Sequence, residues 1–408
     1  MRSLVRPSGF SRRRVVSTLA AVGALLATVV VVAGFTTAKK APAPYVIGWI
    51  GPQSGPFAPS ATGSLNTFNQ VFAIYNKKGG VNGHQLQLIN KDTAGDPVVA
   101  LQTARDWVGQ GVKAIFVQDY AEAAGLLPLM DGSMMMFTTN PPAQLDDPKQ
   151  FPYNINWFPP NKYAILKDAQ YLKKLGVTKV ALVTNTTAQF QEYIDASHDI
   201  LPKQGFQIVL EQRYDPTTTD FSPIITKIQQ SGAQATLDFS FGGEATKFYT
   251  AAAAANLQQP LLGGYGNAAS DLSSVPLDYL KKWAYFVTTN TQLLDPKTNQ
   301  PAFTKYGAIQ KQIFYHKYGL KTNIGGGIGW DQVQSIVWAL GKAGGEDPAK
   351  MRAAFESTAK ASAGVRFTPN GIVYHFSNTQ HCGYPPSQVS IAHLYGVPQW
   401  PGYYFAAS

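Results

Sequence analysis

Six histidines and one cysteine are the side chains best suited to nucleophilic or metal chemistry, and their spacing limits what they can do. His84, His198, His316, His375, His381 and His393 are dispersed. None falls in a His-x-x-x-His or Cys-x-x-Cys pattern, the spacings that bring two metal ligands to one side of a helix or turn. No metal and no cofactor is expected. His381-Cys382 is the one neighbouring pair, but a thiolate nucleophile needs a lowered pKa and a positioned base. Adjacent residues on an extended chain point to opposite faces, so catalysis there is disfavoured and the thiol is expected to cap a core or pair between chains. Gly325-Gly326-Gly327-Ile328-Gly329 has the composition of a phosphate loop, yet no Gly-Lys-Ser/Thr follows and no strong strand precedes it. It is expected to be a loop ahead of a helix from Trp330 to Gly341. With no nucleophile, base and acid set in view, the chain is not expected to be an enzyme.

Composition points the same way. In residues 1–40, Arg2, Arg6 and Arg12-Arg13-Arg14 precede the apolar run Val15 to Phe35 with no acid nearby. That is an export leader, and Ser11-Arg12-Arg13-Arg14-Val15-Val16 is similar to a twin-arginine signal, with an ordinary secretory leader as the alternative. The apolar run is long enough to span a bilayer, about 20 residues, so an uncleaved anchor is an open possibility for this exported, periplasmic or cell-surface chain. The leader holds seven of the 34 basic residues and no acid, leaving 27 bases against 24 acids, nearly balanced. The remaining bases are scattered pairs rather than the clustered basic face that nucleic acids require, so no nucleic-acid partner is expected. A lone cysteine excludes an intramolecular disulfide, and stability must come from buried cores.

Stepping along the mature chain, short apolar strands alternate with stretches of helical period. Tyr45 to Ile50 predicts a strand, and Leu65, Phe68, Val71, Phe72 and Tyr75 share one helical face that ends at Gly79-Gly80. Strands follow at 85–91, 114–117 and 134–138, with helices at 97–110 and 121–130 between them. After the Pro-rich stretch Pro152 to Pro160 the alternation restarts: strands at 179–184, 206–212, 235–240 and 261–262, helices at 189–201, 221–230 and 243–255. Such strand–helix alternation predicts βαβ units with parallel sheets. About 365 residues exceed what a single core usually holds, roughly 250–300. The fold class expected is therefore α/β, two Rossmann-like lobes with parallel central sheets.

The order of certain motifs resembles the type I periplasmic binding proteins, in the branched-chain amino-acid branch that serves ABC importers. The resemblance rests on Ile47-Gly48 through Ser54-Gly55-Pro56, on Asn76-Lys77-Lys78-Gly79-Gly80-Val81-Asn82-Gly83, and on Asp92-Thr93-Ala94-Gly95-Asp96-Pro97. Asp220-Phe221-Ser222-Pro223 and Gly329-Trp330-Asp331 add to it. It implies three crossovers between lobes, with residues 45–156 and 289–364 in the N-terminal lobe and 157–288 and 365–408 in the other. It also implies hinge closure around a small-molecule ligand by a monomer that meets an ABC permease in the membrane. A sensor signalling to a membrane partner and, further off, an α/β enzyme are the alternatives.

Ligands of open α/β sheets bind beyond the carboxyl ends of the strands. The candidate contacts are thus Ser54, Phe57, Ser60, Asp119, Tyr120, Glu122 and Asn140 in one lobe, and Asn185, Gln189, Phe190, Phe241, Glu244 and Tyr265 in the other. Several have a structural alternative: Phe57 and Phe190 as core plugs, Glu122 as the acid that complements a helix start, Asn140 and Asn185 as turn residues. An α-amino acid needs hydroxyl and N–H donors for its carboxylate and an acid for its ammonium. Where the family's amino-acid binders carry the hydroxyl run, this chain has Tyr120-Ala121-Glu122-Ala123 and Asn140-Pro141-Pro142. Tyr265 stands near the family's ammonium-binding acid, and Phe241 near a family tyrosine. The resemblance thus implies a solute other than a zwitterionic α-amino acid, uncharged or weakly polar, with an aromatic or apolar body.

Overall fold

The structure is a computed structural model, and it describes residues 41–55, 58–129, 131–139, 142–268, 272–290, 293–295, 300–301, 324–367, 372–393 and 404–406. The leader, Phe57 and Asn140 lie outside them, as does the side chain of Ser60. Among the described residues no helix is long and apolar enough to cross a membrane.

Strands β1 (Tyr45–Gly51), β2 (Leu86–Asp92), β3 (Ala114–Val117), β4 (Met135–Thr138) and β5 (Asn154–Asn156) form one sheet in the order β2-β1-β3-β4-β5. Every pairing is parallel. β1, β3 and β4 are buried almost throughout, as central parallel strands covered on both faces must be. Gly48 is required in β1, because a Cβ there would lie 2.5 Å from the Trp107 ring. The helices between are α1 (Ala58–Asn76), α2 (Pro97–Gly109) and α3 (Tyr120–Gly125). Phe68, Val71 and Phe72 of α1 are buried, with Leu65 and Tyr75 packed beside them. Asp96 caps α2 by accepting from the Val98 amide at 2.7 Å, with Pro97 at the first helical position, where a missing N–H costs nothing.

The motif Asn76 to Gly83 is a joint. Asn76 donates to the Leu86 carbonyl at 2.8 Å and accepts from the Leu86 amide at 2.7 Å, standing in for a strand partner at the start of β2. Gly80, at φ +81°, closes the turn between them, and a Cβ there would lie 1.9 Å from the His84 carbonyl oxygen.

The second sheet has nine strands. β6 (Lys179–Asn185), β7 (Gln207–Tyr214), β8 (Ala235–Phe239), β9 (Leu261–Gly263) and β10 (Ala284–Thr289) pair in parallel. β11 (Leu293–Asp295), β12 (Gln300–Pro301), β13 (Val389–His393) and β14 (Tyr404–Ala406) extend it beyond β10 with mixed polarity. Helices α4 (Asn161–Lys174), α5 (Ala188–Ile200), α6 (Ser222–Gln230), α7 (Gly243–Ala254), α8 (Tyr265–Ala268) and α9 (Leu277–Trp283) belong with this sheet. The two α/β sheets expected from the alternation are present, and the Pro-rich separator carries a strand of its own, β5.

One expectation is corrected. Gly325 to Gly329 is no loop: α10 (Ile324–Ala343) runs through it and lies along α1. Each glycine costs a helix about 1 kcal/mol, and tertiary packing along α1 overrides that preference. After α11 (Pro348–Glu356), residues 381–383 lie against β5, with Asn156 bridged to Cys382.

Candidate ligand-binding cleft

The loop after β1 is set by an acid at the end of β2. Asp92 Oδ1 accepts from the amides of Ala94 at 2.9 Å, Gln53 at 2.8 Å and Ser54 at 3.2 Å. These donors, the Ala94 amide foremost, hold its carboxyl below the usual range. Ser54 is consequently exposed at a fixed place. Asp119 follows β3 and caps α3 through the Ala121 amide at 2.9 Å, and burial raises its pKa. Glu122 is fully buried and accepts from the Thr93 hydroxyl, with burial pushing it up to about 7. It turns inward, beneath the loop.

In the second sheet, Asn185 ends β6. It donates to Glu244 at 2.9 Å and accepts from the Thr187 amide at 3.0 Å, while the Tyr214 hydroxyl donates to the same Glu244 oxygen at 3.0 Å. Gln189 is half-buried on the first turn of α5. Phe190 stacks on Tyr193 with centroids 6.1 Å apart, and Tyr193 stacks on Phe239 at 4.6 Å. Phe241 follows β8, half-buried against the backbone of Gly266, where a Cβ would lie 2.9 Å from its ring. Tyr265 follows β9, 5% exposed, edge-on to Phe158 at 5.1 Å. Its hydroxyl has no hydrogen-bond partner among the described residues, and burial drives its pKa far up.

The strand ends of the two sheets meet at a residue that lies past the loops. Glu192, on α5, accepts from the Tyr120 hydroxyl at 3.0 Å and the Ala143 amide at 2.8 Å, both from the first-sheet side. Its other oxygen accepts from Asn161 of α4 at 3.3 Å. Burial raises its pKa, and the three donors pull the other way. Sequence reasoning stopped at the loops and so missed Glu192. The available signal was its position one helical turn beyond Gln189, on the face that looks back toward the strand ends.

His381 and Cys382 are neighbours with separate partners. The His381 ring lies between the Asn154 carbonyl at 2.8 Å and Glu356 at 3.2 Å, while the Cys382 thiol donates to the Phe158 carbonyl at 3.4 Å. Burial pushes the thiol's pKa up and the imidazole's down. Both residues tie the chain around 381–382 to β5 and the residues just after it. Among the described residues no group of three His, Cys, Asp or Glu is placed to hold a metal ion.

Two α/β sheets whose carboxyl ends meet across a ring-lined junction define a bilobal solute-binding protein. The family model described as periplasmic binding protein matches residues 44–384. The chain belongs to that family, in its type I, branched-chain amino-acid branch. Leu/Ile/Val-binding protein homolog 2 of Brucella abortus is 25% identical over 300 residues, 69% of this chain and 74% of that one. A solute-binding protein of an ABC transporter from Rhodopseudomonas palustris, solved with 4-hydroxybenzoate, has a TM-score of 0.70 at 18% identity. The match covers 90% of this chain and 96% of that one. The fatty acid ABC transporter substrate-binding protein of Thermomonospora curvata has a TM-score of 0.73 at 15% identity, covering 90% and 91%. Identities this low carry the fold alone.

Proposed function

We propose that this chain captures a small organic molecule with an apolar or aromatic body, not a zwitterionic α-amino acid, and delivers it to an ABC permease as a non-enzymatic monomer. One observation carries the reading: the candidate carboxylates in the loops after the strands, and Glu192 beside them, each already accept hydrogen bonds from the chain itself, and the oxygen left over on Glu122 is buried. Glu192 holds three donors, Glu244 two, Asp119 caps α3 and Glu122 faces Thr93. An ammonium buried without a paired acid is strongly disfavoured. Phe158 and Phe241, both half-buried, instead offer ring surface, backed by the buried rings of Phe190, Tyr193 and Tyr265. The solutes named for the Rhodopseudomonas and Thermomonospora proteins, an aromatic acid and fatty acids, are of this kind; those named for the Brucella relative are not.

The lobe division that goes with this reading is 45–156 with 289–364 against 157–288 with 365–408. β11 and β12 pair with the second sheet, and residues 381–383 touch β5, so segments near the three proposed crossovers make contacts on both sides. The apolar run of the leader keeps the protein at the outer membrane face if it is not cleaved.

Differential scanning fluorimetry tests the ligand class, since a solute that binds only the native state raises the melting temperature by mass action. Benzoates, phenylpropanoids and medium-chain fatty acids should include compounds that shift the transition by several degrees. A clear shift with leucine or valine and none with these solutes would refute the proposal.

A further inference from the structure

We infer that Glu192 is a positioning residue for ligand capture, a latch that brings the two sheets together across the cleft through protein donors alone. It rests on the bilobal architecture and is independent of which solute is bound. The geometry is specific. α5 carries Glu192 on the second-sheet side, and the Tyr120 hydroxyl and Ala143 amide reach it from the segments that follow β3 and β4. Asn161 reaches it from the first turn of α4, the helix that follows β5 into the second sheet's layer. One carboxylate therefore joins the segments after β3 and β4 of the first sheet to α4 and α5, which pack with the second.

Two consequences separate a latch from a packing residue. First, both oxygens accept from the protein, so the loss of Glu192 should change closure and dissociation before it changes solute preference. Second, two of its three donors lie in the first-sheet layer, so each lobe can fold with its own core intact when the contact is broken. Neighbouring side chains support this. Phe190 and Tyr193, on either side of Glu192 in α5, are buried against their own lobe, 6% and 4% exposed. The helix face is anchored at home while the carboxylate alone reaches across. Hinge closure uses such contacts, which exist in one state and not in the other.

The test uses the mature chain without added solute. Small-angle scattering should give the wild type a radius of gyration near that of a compact chain of this length, about 21 Å. Glu192→Ala and Tyr120→Phe should both shift it upward, the first more than the second. Glu192→Gln, which keeps an acceptor oxygen without the charge, should fall between the wild type and Glu192→Ala. Hydrogen exchange at the Ala143 amide should speed up by roughly ten- to a hundredfold in Glu192→Ala, the effect of losing one hydrogen bond to a charged group. Amides of β6 and β8 should keep their wild-type protection, which shows that the lobe is folded. Scattering and Ala143 exchange unchanged in Glu192→Ala and in Glu192→Gln would overturn the latch. So would loss of β6 and β8 protection in both variants, because that would make Glu192 part of the lobe's core. A failure of every aromatic and fatty solute to bind would refute the proposed ligand class and leave these outcomes untouched.

Discussion

Replacing Trp157 with alanine is expected to lower the free energy of unfolding by about 4 kcal/mol, within the range for deleting a large buried aromatic side chain. Trp157 follows β5 directly and is 1% exposed. Four rings meet it edge-on: Tyr374 at 4.8 Å, Phe376 at 4.9 Å, Phe367 at 5.0 Å and Phe355 at 6.1 Å. Edge-to-face pairs add roughly 0.5–1.5 kcal/mol each beyond the area they bury. The indole N–H has no partner among the described residues, so its removal strands no acceptor and the cost is one of packing. Because Phe367, Tyr374 and Phe376 come from the chain leading to residues 381–383, which touch β5, the substitution also loosens the return of the chain to the first sheet. Urea denaturation should show a lower midpoint at an unchanged slope. A loss below about 1 kcal/mol would mean that this cluster is not the keystone its contacts indicate.

The second large effect concerns pH. Asp238 in β8 is fully buried, accepting from the Ser240 hydroxyl and the Asn267 amide at 2.7 Å each, with its other oxygen unpartnered among the described residues. Burial pushes its carboxyl up to about 7, against about 4 in an unfolded chain. Between these values the folded protein holds a proton that the unfolded chain has released. The stabilisation is therefore fully present below about pH 4 and is lost as pH rises through about 7. Its size is on the order of 4 kcal/mol. Asp238→Asn is neutral at every pH and keeps an acceptor for both donors. It is expected to track the wild type below about pH 4 and to exceed it at pH 8, with the gap opening between about pH 4 and 7 and constant above that. A gap that closes or reverses as pH rises would show that Asp238 is ionised in the folded protein.

Much of the fold was legible because parallel strands covered on both faces read as short apolar runs and helices read as periodic faces. β1, β3, β4, β6 and β8 fall where those runs do, and α2 begins at the Asp96-Pro97 signal. The course of α10 through four glycines was not legible, since packing along α1 decides it. β5 was hidden in a proline-rich stretch for the same reason: a three-residue strand has too little pattern to stand out. At the cleft, position was easier to read than direction. Asp119, Tyr120, Asn185, Phe241 and Tyr265 do lie at strand ends. Whether each turns toward a solute, a neighbour or the core depends on contacts far away in sequence: Glu122 on Thr93, Asn185 on Glu244, Tyr120 on Glu192. The acid that joins the two sides lies inside a helix, where an alternation of strands and loops gives it no mark.

The proposed ligand class rests on where the carboxylates already point. If they are engaged by protein donors, an α-amino acid finds no acid for its ammonium, whatever the names of the relatives suggest. Isothermal titration calorimetry of the mature chain with leucine is the most direct measurement of this. No saturable heat is expected at millimolar leucine, while a solute found by thermal shift should bind at one site per chain. A one-to-one leucine isotherm with a micromolar Kd would contradict the reading.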